Sequence, residues 1–150
     1  MRCVSQVAVI AAVILVARVL PVGATVGWLP IPPQDLALKD NPKEPGADAM
    51  ILYREAVLDT RKANVSGDSD EEYVRIKIFT QAGTKQGHVE IPYNKSWETI
   101  PYIAGRTILP DGTIKTFDGQ VLDTTIVSDG GFKLSAKTFT LPDVQPGCII

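Results

Sequence analysis

Turn signals follow one another so closely in this chain that no long helix fits between them. Pro110-Asp111-Gly112-Thr113, Asp118-Gly119, Asp129-Gly130-Gly131 and Pro146-Gly147 punctuate its second half. In such sequences proline presets φ at the first turn position and glycine takes the positive φ that follows. The stretches between them read as strands. Glu72 to Thr80 alternates, with Val74, Ile76 and Ile78 on one face and Arg75 and Lys77 on the other. That pattern predicts a half-buried antiparallel strand whose cations face water. From Gly87 to Tyr93, Val89, Ile91 and Tyr93 alternate with a wet face carrying His88 and Glu90.

Further strands are expected at 50–58, apolar on both sides and so partly covered on both faces, and at 102–109, 114–117, 120–127 and 133–142. In the last of these Phe132, Leu134 and Ala136 share one parity, whereas Phe139 and Leu141 share the other. A bulge at 136–138 would return them to a common face. No segment after residue 24 sustains a helical period. Strands about ten residues apart predict an all-β domain over 48–150, an antiparallel β-sandwich or partly open barrel.

The first 47 residues are organised differently. Met1-Arg2 precedes an apolar run over 3–17, Arg18 ends it, and Val22-Gly23-Ala24 places small residues before Thr25. This predicts a signal peptide over 1–24 with cleavage after Ala24, and so a periplasmic or secreted protein. The run is shorter than the ~20 residues that span a bilayer, so membrane attachment is expected only if the segment stays uncleaved. From residue 25 to 47 the chain carries Pro30, Pro32, Pro33, Pro42 and Pro45, which predicts an extended arm with one helical turn near Asp35, that residue serving as N-cap. Trp28, Leu36 and Leu38 are the residues expected to pin the arm down.

Removal of the signal takes away Arg2 and Arg18, so 15 basic and 17 acidic side chains become 13 and 17. The remainder is mildly acidic with no basic stripe, which argues against a nucleic-acid partner. Of two cysteines Cys3 leaves with the signal, and Cys148 reads as a small apolar residue in a strand. His88 is the only histidine, so no Ser-His-Asp or Cys-His set is complete and no zinc-ligand spacing exists. Asp68, Asp70, Glu71 and Glu72 read as a solvated acidic loop, and Asp111, Asp118 and Asp129 as turn residues, each preceding a glycine. The expected inventory holds no catalytic residue, no metal site and no cofactor. One face stands out as a candidate binding surface: Tyr73, Arg75, Lys77 and Arg106, aromatic and cationic together, of the kind that takes a carbohydrate or an acidic peptide.

Several stretches taken together resemble the bacterial domain of unknown function DUF3857. They are Asp35-Leu-Ala-Leu-Lys-Asp-Asn-Pro42, Gly46-Ala-Asp-Ala-Met-Ile-Leu-Tyr-Arg-Glu55, Glu72-Tyr-Val-Arg-Ile-Lys-Ile-Phe-Thr80, Val89-Glu-Ile-Pro-Tyr93, Ala104-Gly-Arg-Thr-Ile-Leu-Pro-Asp-Gly-Thr113 and Ala136-Lys-Thr-Phe-Thr-Leu-Pro-Asp-Val-Gln-Pro-Gly147. The resemblance implies a β-rich domain outside the cytoplasm that commonly precedes a transglutaminase-like domain with a Cys-His-Asp triad, and it places no catalytic residue here. Pro146-Gly147 followed by Cys148-Ile149-Ile150 reads as the opening of a hairpin's second strand, so the β-domain is expected to be incomplete at Ile150, with a partner domain beyond it. The expected function is a non-catalytic accessory domain that positions or stabilises that partner. The alternative is a peptide- or cell-wall-glycan-binding β-sandwich acting on its own.

Overall fold

The structure, a computed structural model, describes residues 27–59, 69–130 and 132–150. The signal peptide, its cleavage site after Ala24 and the loop carrying Asp68 lie outside them.

Among the described residues seven strands follow a short helix α1 (Pro33–Ala37): β1 (Ala49–Asp59), β2 (Ser69–Ile78), β3 (His88–Asn94), β4 (Arg106–Ile108), β5 (Ile114–Thr116), β6 (Leu122–Asp129) and β7 (Phe132–Thr140). A 3₁₀ helix, Ala82–Gly87, joins β2 to β3. All strand pairs are antiparallel: β1 with β2, β4 with β5, and β7 between β3 and β6. The chain is an all-β protein of open, sandwich-like sheets with no closed barrel among the described residues.

The terminal residues connect two of the hairpins. Ile76 and Ile150 exchange both backbone hydrogen bonds at 2.8 and 2.9 Å, and Ile108 and Ile149 do the same at 2.7 and 2.9 Å. The Ile78 N–H also donates to the Cys148 carbonyl at 3.0 Å. Cys148–Ile150 thus lies between β2 and β4 and merges β1–β2 and β4–β5 into one sheet. The run is extended as its residues suggest, but its partners are distant in sequence; it does not fold back on β7 as a hairpin. A turn with Pro146 and Gly147 at its centre, closed by Cys148 N–H to the Gln145 carbonyl at 3.2 Å, redirects the chain. Gly147 holds φ of 88°, the positive value a type II turn requires at that position.

Ile78, Ile108, Phe139, Leu141, Cys148 and Ile149 are buried and form the core. The Phe117 and Phe139 rings lie 5.0 Å apart, joining the end of β7 to the chain leaving β5. Gly105 passes so near Leu141 that a Cβ would come within 2.5 Å of its Cδ2. At Pro110–Gly112 the predicted turn forms: the Gly112 N–H donates to the Leu109 carbonyl at 2.9 Å and Gly112 adopts φ of 87°.

Four local expectations change. The bulge is not in β7, whose register with β3 is continuous from Thr140 to Leu134; it is in β6, between Thr125 and Val127. Ser135 and Ala136 point to opposite faces of β7 and are both buried, so both faces are covered there and strict alternation has no reason to persist. A second irregularity interrupts β1 between Ile51 and Tyr53. Among the described residues β1 pairs with β2 alone, and Ile51, Val57 and Leu58 are exposed, where partial cover of both faces was expected. The cap of α1 is Pro32, with proline again at its first position, and Asp35 lies inside the helix. The fourth change, burial of Arg75 and Lys77, defines the site below.

Candidate functional site

Alternation in β2 sends Tyr73, Arg75 and Lys77 to one face, and the structure brings Arg106 of β4 beside them. The face does not look into water. The arm, described from Gly27 onward, crosses it, and every cation turns donors to the arm. Arg75 is 6% exposed and donates from Nη2 to the carbonyls of Leu29 at 3.1 Å and Pro30 at 3.0 Å. Its Nη1 lies 3.7 Å from the Asp35 carboxylate. Lys77 is 1% exposed and donates to the carbonyls of Leu36 at 2.8 Å and Gly147 at 2.6 Å. The Arg106 guanidinium sits 4.4 Å from the centre of the Trp28 ring and reaches the Leu29 carbonyl at 3.4 Å.

Aromatic rings complete the contact. Trp28 meets Tyr73 edge-on at 6.3 Å, and Tyr73 meets Tyr53 at 5.9 Å. Such pairs contribute about 0.5–1.5 kcal/mol each beyond area burial. All four residues singled out from sequence therefore come together, as the seat of the arm. Alongside it runs an apolar groove of about 440 Å³ bounded by Leu29, Ile31 and Leu36 of the arm and by Ile108 and Ile114 of the β4–β5 hairpin.

Electrostatics follow from this burial. Burial pushes the Lys77 ammonium below its ordinary pKa, the proximity of other charges mattering less. The Cys148 thiol is fully buried, and burial raises its pKa. A thiol in that condition is a poor nucleophile.

The other groups considered from sequence stand apart. His88 is exposed, with Nδ1 3.2 Å from the Thr140 hydroxyl. Asp111 accepts the Thr113 N–H at 2.8 Å, and that bond holds its carboxyl below the usual range. Asp118 is exposed, and the exposed Glu72 pairs with Arg54 at 2.7 Å. Among the described residues no group of three or more His, Cys, Asp and Glu side chains is placed to hold a metal ion, and no helix is long and apolar enough to cross a membrane.

One cluster escaped the sequence. The Asp123 carboxylate accepts from Tyr93 at 3.0 and 2.9 Å, from Lys95 at 2.7 Å and from Lys137 at 3.1 Å. Lys95 foremost, then Tyr93 and Lys137, hold its pKa far below the carboxylate range. Only the register Asp123↔Lys137 could have revealed it, since the members come from β6, β7 and the region of β3.

An all-β antiparallel domain whose cationic sheet face is roofed by its own proline-rich arm is the class that this fold and site define. Residues 67–150 match the family described as Domain of Unknown Function with solved-structure structure (DUF3857), and the chain belongs to that family. The match begins beyond the arm and β1. No curated protein and no solved structure matches the chain.

Proposed function

We propose that this chain is an exported, non-catalytic accessory domain that positions or stabilises a neighbouring transglutaminase-like domain. The observation that carries the reading is the employment of its reactive groups. Arg75 and Lys77 are committed to backbone carbonyls, Cys148 is sealed in the core, and Asp123 is neutralised by two lysines. Such groups hold a scaffold together and offer little to a substrate. Export rests on the pattern of residues 1–24, and the nature of the neighbour rests on the family resemblance.

Reading the open frame onward from the Ile150 codon tests the neighbour directly. A Cys-His-Asp domain in frame is the expected result; a stop codon there would overturn the accessory role. Assays of the 150-residue chain for amine incorporation and amide hydrolysis should register nothing above buffer. Turnover that disappears on one side-chain substitution without a change in melting temperature would overturn the non-catalytic part.

A further inference from the structure

The seat of the arm is chemically one-sided. Arg75, Lys77 and Arg106 present donors only, since neither guanidinium nor ammonium can accept a hydrogen bond. What they meet on the arm is carbonyl oxygen: Leu29, Pro30 and Leu36. The segment Trp28-Leu-Pro-Ile-Pro-Pro33 complements this by composition, because proline has no N–H to leave unpaired against a donor surface. Its conformation fits too. Pro32 has φ of −61° and ψ of 136°, within the polyproline II region that prolines adopt before binding. Two polar or aromatic side chains add identity: Trp28, between Arg106 and Tyr73, and Asp35, beside Arg75.

Recognition of backbone carbonyls together with an aromatic pocket is how proline-rich ligands are held generally. We propose that this sheet face is a receptor for proline-rich segments that run extended from an aromatic residue at the amino end into a helical turn carrying a carboxylate after the prolines. In the structure the protein's own arm occupies it in cis, and the same segment on another polypeptide can take its place. The part of the arm seated on the face joins β1 through the rest of the arm, 39–48, so its effective concentration at the face is of millimolar order and a competitor must exceed it or meet a weakened arm. This inference is independent of the accessory role, and either can fail alone.

The test uses the full 150-residue chain with Trp28→Ala and Asp35→Ala, which remove the arm's aromatic and carboxylate contacts and leave the receptor face intact. A fluorescently labelled peptide of residues 27–38 is titrated and its anisotropy read. Saturable binding is expected with Kd on the order of 10–1000 μM, at least roughly tenfold tighter than to the unsubstituted chain, whose arm competes. The same peptide with alanine at Pro30, Pro32 and Pro33 should bind roughly tenfold more weakly, having gained N–H groups and lost its preformed conformation. Absence of saturable binding to a variant that still melts cooperatively overturns the proposal, as does equal binding of the two peptides. Should the double variant not melt cooperatively, Trp28→Ala alone takes the same titrations, with the same outcomes decisive.

Discussion

The Lys77 ammonium lies 2.6 Å from the carbonyl oxygen of Gly147, in the turn that launches the terminal segment. Its second acceptor, the Leu36 carbonyl, belongs to the arm, so one buried side chain clamps two separate parts of the chain. Folding lowers its pKa, so in the alkaline window below its ordinary value the unfolded chain binds the extra proton and stability rises with pH. A neutral amine still has two N–H groups, enough for both carbonyls. Urea midpoints of the native chain should therefore gain on those of Lys77→Met between neutral pH and about pH 10. Parallel curves would show that burial of Lys77 has no titrating consequence.

Removing Arg75 should release the arm. Arg75→Ala deletes two charge-assisted hydrogen bonds and the contact with Asp35, a loss of about 3 kcal/mol. Arg75→Lys keeps the charge without the planar fork and should recover less than half of it. Equilibrium denaturation gives the magnitude, and limited proteolysis within 27–47 should quicken in the same order.

Much of the fold is legible in the residues because strand parity and turn chemistry are local. The alternation of Val74, Ile76 and Ile78 locates β2, and Pro110-Asp111-Gly112 locates the β4–β5 turn. What parity cannot convey is which face an outside segment covers. Arg75 and Lys77 read as solvated because charged residues on one side of a strand usually are, and only the arm's return makes that side internal. The four residues of the site are thus legible as a group, and their role is not. The Asp123 cluster is illegible for a related reason, since its members meet only through a register that spacing leaves open.

Asp123 should govern part of the acid stability. Its folded pKa is depressed, so its contribution is present above the ordinary carboxylate value of about 4 and is lost as pH falls through the folded value. Asp123→Asn should melt lower than the native chain at pH 7, and the gap should close as pH falls below about 4. A gap of constant size from pH 7 to pH 2 would dissociate the carboxylate from acid unfolding.

Ser135 is fully buried at the centre of β7, and its hydroxyl has no hydrogen-bond partner among the described residues. An unpaired buried hydroxyl is unfavourable, so Ser135→Ala should raise stability by up to about 1 kcal/mol. A loss of more than that in urea denaturation would reveal a partner for the hydroxyl.

Cys148 should resist alkylation in the native protein. Iodoacetamide at neutral pH is expected to modify it only after denaturant is added, as read by peptide mass spectrometry, because the thiol is sealed and burial raises its pKa. Native labelling at the rate of a free thiol would mean that the terminal segment leaves the sheet readily.

The placement of Cys148–Ile150 between β2 and β4 also sets an order of events. A ribosome delivers both neighbours before it delivers the residues that join them. The β1–β2 and β4–β5 hairpins can close early, each on its own turn or loop, but they remain separate until residue 150 has emerged. From the completion of β5 until residue 150 has emerged, a nascent chain therefore carries two open strand edges, and these are the surfaces a holding chaperone would have to cover.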